Sequence, residues 1–116
     1  MEQDDVRARL DAERDAALQR LADLSCDHDA IVAASRDTNA DDEHDPEGAT
    51  IAFERAQVDA VARLARHQLL ELDAALARLA AGTYGACEAC GLPISPERLD
   101  VRPAARTCIA CAAARR

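Results

Sequence analysis

The chain has 116 residues, a formal net charge of −8 at pH 7, and only Phe53 and Tyr84 as aromatic side chains. Its length fits one compact domain, or an elongated one with a small module attached, and so few aromatics argue against a conventional globular core. Overall negative charge argues against a general grip on nucleic acid, which runs on phosphate neutralisation, and no apolar run is long enough to span a bilayer.

Ala, Leu and Val mixed with Arg, Asp and Glu suit long helices. From about Asp4 to Ser35 there is no Gly or Pro. Leu10, Ala17, Leu21, Leu24, His28, Ile31 and Ser35 recur at helical spacing, which predicts one long helix with a weak seam, since Arg14 and His28 fall on it. The segment "RDTNADDEHDPEG" has no apolar period and is expected to be an acidic loop near 37–49. A second helix is expected from about Ala49 to Ala81. Ile51, Val58, Ala65, Leu72 and Leu79 repeat every seven residues, with Val61 and Ala75 on the same stripe and Leu64, Leu69 and Leu76 broadening it. Gly82 stands where a left-handed residue would end that helix. Two such helices joined by a short loop must return antiparallel. The expectation is therefore a mainly α chain: a coiled-coil hairpin over 1–82, ~45 Å long, with an acidic tip, then a small module over 83–116.

That module holds two C-x-x-C pairs, Cys87/Cys90 and Cys108/Cys111, separated by seventeen residues. Four thiolates at this spacing can close a tetrahedral shell around one Zn²⁺ and leave no position for an activated water, so the site reads as structural. Rubredoxin-like iron would use the same ligands, and a disulfide framework is the remaining use of four cysteines. Ile94, Leu99 and Val101 offer a miniature core, with Arg98 and Arg102 pointing outward. "IACAAARR" can start a short terminal helix carrying Cys111. The charged N-terminus lacks a hydrophobic signal core, and the metal-type cysteine spacing fits a reducing interior, so the chain reads as cytoplasmic.

Other chemistry-bearing residues carry less. His28 reads as a packing residue, His67 as solvated or interhelical, and Cys26 as an outward thiol beside Asp23, Asp27 and Asp29, surroundings that disfavour a reactive thiolate. No nucleophile–base set, phosphate loop or carboxylate pair on an ordered scaffold is present, which argues against an enzyme. The acidic run "DDEHDPEG" is by default a solvated turn. At the end of a stiff hairpin it could also be delivered into a deep site of a larger partner, where its carboxylates would meet basic groups or a bound Mg²⁺.

The closing segment "YGACEACGLPISPERLDVRPAARTCIAC" closely resembles the C4 zinc finger of the DksA/TraR family. Gly85, Cys87, Cys90, Gly91, Ile94, Arg98, Leu99, Pro103, Cys108 and Cys111 occupy the family's positions, and with the helices ahead of it the resemblance covers about residues 10 to 116. It implies a transcription regulator that enters the secondary channel of bacterial RNA polymerase and acts on initiation without binding specific DNA. In that reading zinc is the brace, and Arg98 and Arg102 are possible contacts at the channel rim. The family's tip motif, Asp-x-x-Asp-x-Ala, falls here on His44, Glu47 and Ala49, with Asp45 beside the altered first position. Some members bind the alarmone ppGpp. Arg102 matches one basic position for it, but Glu71 and Ala112 stand at two others, so weak or absent ppGpp dependence is expected. The competing expectation is an adaptor that binds DNA or another protein through arginines of the finger.

Overall fold

The computed structural model describes residues 3–38 and 46–114 of the chain. Four helices follow in order: α1 (Gln3–Thr38), α2 (Pro46–Ala81), α3 (Pro96–Val101) and α4 (Ile109–Ala114). The chain is mainly helical, as its composition implies. Both long helices extend a few residues past the bounds that periodicity predicts, α1 to Thr38 and α2 back to Pro46. Pro46 starts α2, where its fixed φ suits the first turn and its missing N–H costs nothing. At the other end Gly82, at φ 82°, reverses the chain. Its N–H reaches the Leu79 carbonyl at 3.2 Å while the Thr83 N–H reaches Arg78 at 2.9 Å, the paired bonds of a Schellman ending.

Contacts divide the chain into two units, one of Met1–Asp15 with Leu69–Arg116, the other of Ala16–Gln68. In the first, Leu10, Leu72, Ala75 and Leu79 form a buried cluster against which Val6, Leu76, Tyr84 and Ala104 pack. Fully burying a leucine removes enough apolar surface to contribute ~2 kcal/mol, and this cluster joins both long helices to the segment that follows them. In the second unit Ala17 and Ala65 are the buried seam residues, flanked by half-buried Leu21, Leu24, His28 and Ile31 on α1.

Arg14 and His28, on the α1 seam, are each matched by an acid on α2. Arg14 Nε lies 2.6 Å from Asp73 Oδ1, in the first unit. In the second, His28 Nε2 lies 3.6 Å from Asp59 Oδ1. Arg14 and His28 are two heptads apart, and so, in the opposite sense, are Asp73 and Asp59. Both units therefore keep the same antiparallel register, which these pairs help to specify.

On α2 the seven-residue series Ile51, Val58, Ala65, Leu72 and Leu79 faces inward as expected, but Val61 and Leu64 do not. Leu64 is 71% exposed and Val61 42%. The seam takes a step of four after Val58, so half-buried Ala62 occupies the place that a step of three would have given Val61. Phe53 is also exposed.

Candidate metal centre

The first Cys pair sits on a tight reversal after the Schellman turn. Gly85 and Gly91 adopt φ 85° and 78°, backbone that L side chains rarely enter. An isolated antiparallel bridge joins Ala86 to Pro93 across the reversal. The Cys87 N–H donates to Leu92 at 2.8 Å, that of Gly91 to Cys87 at 2.8 Å, and that of Ile94 to Gly85 at 2.7 Å. These bonds leave both sulfurs on one side of the turn. Ser95 caps α3 by accepting from the Arg98 N–H at 3.3 Å, with Pro96 in its first turn. α3 returns the chain to Cys108, and α4 carries Cys111.

The fold brings all four cysteines together. Their sulfurs lie within 4.8 Å of one another, and Cys90 Sγ and Cys108 Sγ are 3.9 Å apart. Sulfurs placed about 2.3 Å from a central Zn²⁺ at the corners of a tetrahedron are ~3.8 Å apart, so the cluster fits one zinc ion. None of the four is in a disulfide.

Their proton affinities show why a cation belongs here. Backbone N–H groups of Cys108 and Cys90, with smaller help from Ala89, hold the Cys87 thiol down to about 6. The sulfurs of Cys108, Cys90 and Cys87 push the Cys111 thiol up to about 12. One thiolate is welcome in this cage, while a further negative charge is opposed until a metal supplies the compensating charge.

The finger's small core is not quite the expected one. Ile94 is buried and Leu99 half-buried, but Val101 is 80% exposed. Two residues along a helix turn a side chain about 200°, so Leu99 inward puts Val101 outward. Pro103 and Thr107 are buried in its stead. Arg98 also departs from expectation: it does not point outward, because its Nε donates to the Thr107 carbonyl at 2.8 Å. Arg102 is exposed, as expected.

A second set of arginines, which the cysteine spacing gives no hint of, ties the finger to the long helices. Arg106 Nε lies 2.7 Å from Glu71 Oε2 on α2, and its Nη1 lies 3.7 Å from Glu88. Arg78 Nη2 reaches the carbonyls of Ala104 and Ala105 at 3.5 Å, and Arg9 donates to the Asp100 carbonyl. Tyr84 donates its hydroxyl to the Pro103 carbonyl at 2.7 Å, and burial raises its pKa, keeping the phenol a donor. Tyr84→Phe is expected to lower unfolding stability by ~1 kcal/mol in a urea melt of the zinc-loaded protein, since a buried carbonyl loses its partner. No loss would mean that the hydroxyl contributes nothing to docking the finger.

Of the expected tip residues, His44 and Asp45 lie outside the described residues, as does the side chain of Glu47. Ala49 is exposed in the first turns of α2. Cys26 is exposed, and His67 is exposed on α2.

Residues 82–116 match the family described as the prokaryotic dksA/traR C4-type zinc finger. The four-cysteine module is thus similar to fingers of the dksA/traR type. Beyond the finger, the chain is similar to the structure of transcription factor DksA2 from Pseudomonas aeruginosa. The two are 27% identical, the match covers 99% of this chain and 95% of that one, and the TM-score is 0.56. No curated protein sequence matches the chain. The dksA/traR match explains the four-thiolate cluster, and the DksA2 match extends the likeness through both long helices.

Proposed function

We propose that this chain is an RNA polymerase accessory factor, which inserts the acidic segment between α1 and α2 through the secondary channel to modulate initiation. The observation that carries the reading is the chain-long likeness to a transcription factor of DksA type, finger and long helices together. In this reading zinc braces the finger and does no chemistry. The effector residues are His44, Asp45, Glu47 and Ala49, with Arg102 as a contact at the channel rim. Arg98 is a weaker candidate for the rim, because its Nε is occupied by the Thr107 carbonyl. Glu71, bound to Arg106, offers nothing to a phosphate, which supports weak or absent ppGpp dependence. A tight, polymerase-dependent response in an alarmone titration would contradict that part.

Co-purification with core RNA polymerase at moderate salt is the first test. Asp45→Ala with Glu47→Ala should weaken retention only modestly while abolishing the effect on promoter transcription in vitro. An unchanged promoter response would count heavily against the proposal. A finger that grips DNA through Arg98, Arg102 and Arg106 is less well supported, since two of these guanidinium groups are already bonded within the protein.

A further inference from the structure

A cavity of about 360 Å³ opens in the first unit, between the start of α1 and the finger. Its size falls in the range of small-molecule sites, and its character does too: mostly apolar walls with a few polar groups. Val6 of α1, Tyr84, Ile94, Leu99 and Pro103 supply the walls, and Asp5, Arg9 and Asp100 the polar groups. The metal cage does not contribute to it, and the polymerase reading gives it no task.

The charges decide what it would take. Arg9 is the one cation among the lining residues, and its charge is already engaged. It donates to the Asp100 carbonyl and lies 4.0 Å from both the Glu13 and the Asp100 carboxylates. Asp5, in the first turn of α1, has no hydrogen bond or ion pair to any described residue. The lining thus holds two carboxylates, of Asp5 and Asp100, against one guanidinium that Glu13, outside the lining, also engages. The Tyr84 ring lies in the wall with its hydroxyl turned to Pro103, so the ring is left to the cavity. An uncompensated carboxylate favours a positive charge, and the remaining surface, the Tyr84 ring included, favours hydrocarbon.

We propose that this cavity binds a small organic cation, an ammonium group on a compact apolar body, with the ammonium at Asp5 and Asp100 and the body against Val6, Tyr84 and Leu99. An anion would have to displace Arg9 from Asp100 and sit among carboxylates. The proposal is independent of polymerase binding.

The test uses the zinc-loaded full chain and 4-phenylbutylamine as the probe, followed by amide chemical shifts. Saturable shifts should cluster on residues 5–9, 84–85 and 94–103. The neutral alcohol of the same skeleton should bind about fivefold more weakly, as expected for a partly exposed ion pair, and the matching carboxylate more weakly still. Asp5→Asn should weaken the amine about fivefold and leave the alcohol unchanged. Asp29→Asn, which removes the same charge from the other unit, should change neither. The proposal is overturned if the carboxylate binds as well as the amine, if Asp5→Asn and Asp29→Asn act alike, or if no saturable shift appears at millimolar probe.

Discussion

Cys108→Ser is expected to strip the finger of zinc and unfold residues 83–116 while α1 and α2 stay largely helical. The segment has little else to fold it: among its described residues Cys87, Ile94, Pro103 and Thr107 are all that is buried. A structural zinc site in a small module contributes ~10–16 kcal/mol at neutral pH, comparable to or larger than the whole ~5–15 kcal/mol stability of a typical domain. Metal content should fall from one zinc per chain to none, and amide resonances of α3 and α4 should lose dispersion. Cys108→His should retain part of the metal, because a three-cysteine, one-histidine set is an accepted zinc shell. A serine variant that kept full zinc and a dispersed finger would refute four-thiolate coordination.

Acid should act in the same direction. The Cys87 thiol has a folded pKa of about 6, below its ordinary value, so its thiolate favours the folded finger at high pH. That contribution is lost as pH falls through about 6. Cys111 has the opposite sign: its pKa of about 12 lies above the ordinary thiol value, so the metal-free finger resists the ionisation that zinc requires. Zinc uptake at pH 7 should therefore release one whole proton from Cys111 but only a fraction of one from Cys87. Zinc retention, measured against a competing chelator, should fall steeply below pH 6.

Much of this was legible in the chain itself. Two C-x-x-C pairs predict a metal cage because only two short turns can bring four sulfurs to one ion, and Gly82 predicts a helix end because few other residues tolerate its backbone. The α1 seam was legible down to its weak points, Arg14 and His28. What the spacing could not show is that Asp73 and Asp59 answer them, since interhelical partners depend on register. Val61 and Leu64 misled because hydrophobic identity does not fix the alternation of threes and fours: the seam chose small Ala62. Val101 misled in the same way. The arginines that dock the finger, Arg9, Arg78 and Arg106, leave no signal in sequence, because their partners are mostly backbone carbonyls or acids far along the chain.

That last ambiguity supplies a sharp test of the α2 register. Leu72 and Leu64 are identical residues on the same helix, and spacing places both on the buried stripe. In the structure Leu72 is 1% exposed, enclosed in the cluster with Leu10, Ala75 and Leu79, whereas Leu64 is 71% exposed. Leu72→Ala should lose the transfer free energy of the side chain and leave a cavity that two stiff helices cannot close, a cost of ~2–5 kcal/mol. Leu64→Ala should stay within ~0.5 kcal/mol, because its side chain already meets water and alanine favours helix. Urea titration of the zinc-loaded protein should show a large fall in midpoint for Leu72→Ala at unchanged slope, and almost none for Leu64→Ala. Because Tyr84 and Ala104 pack on the same cluster, the finger's resonances should broaden in Leu72→Ala even with zinc bound. Equal losses from the two variants would mean that α2 is turned about its axis from the register that pairs Arg14 with Asp73 and His28 with Asp59.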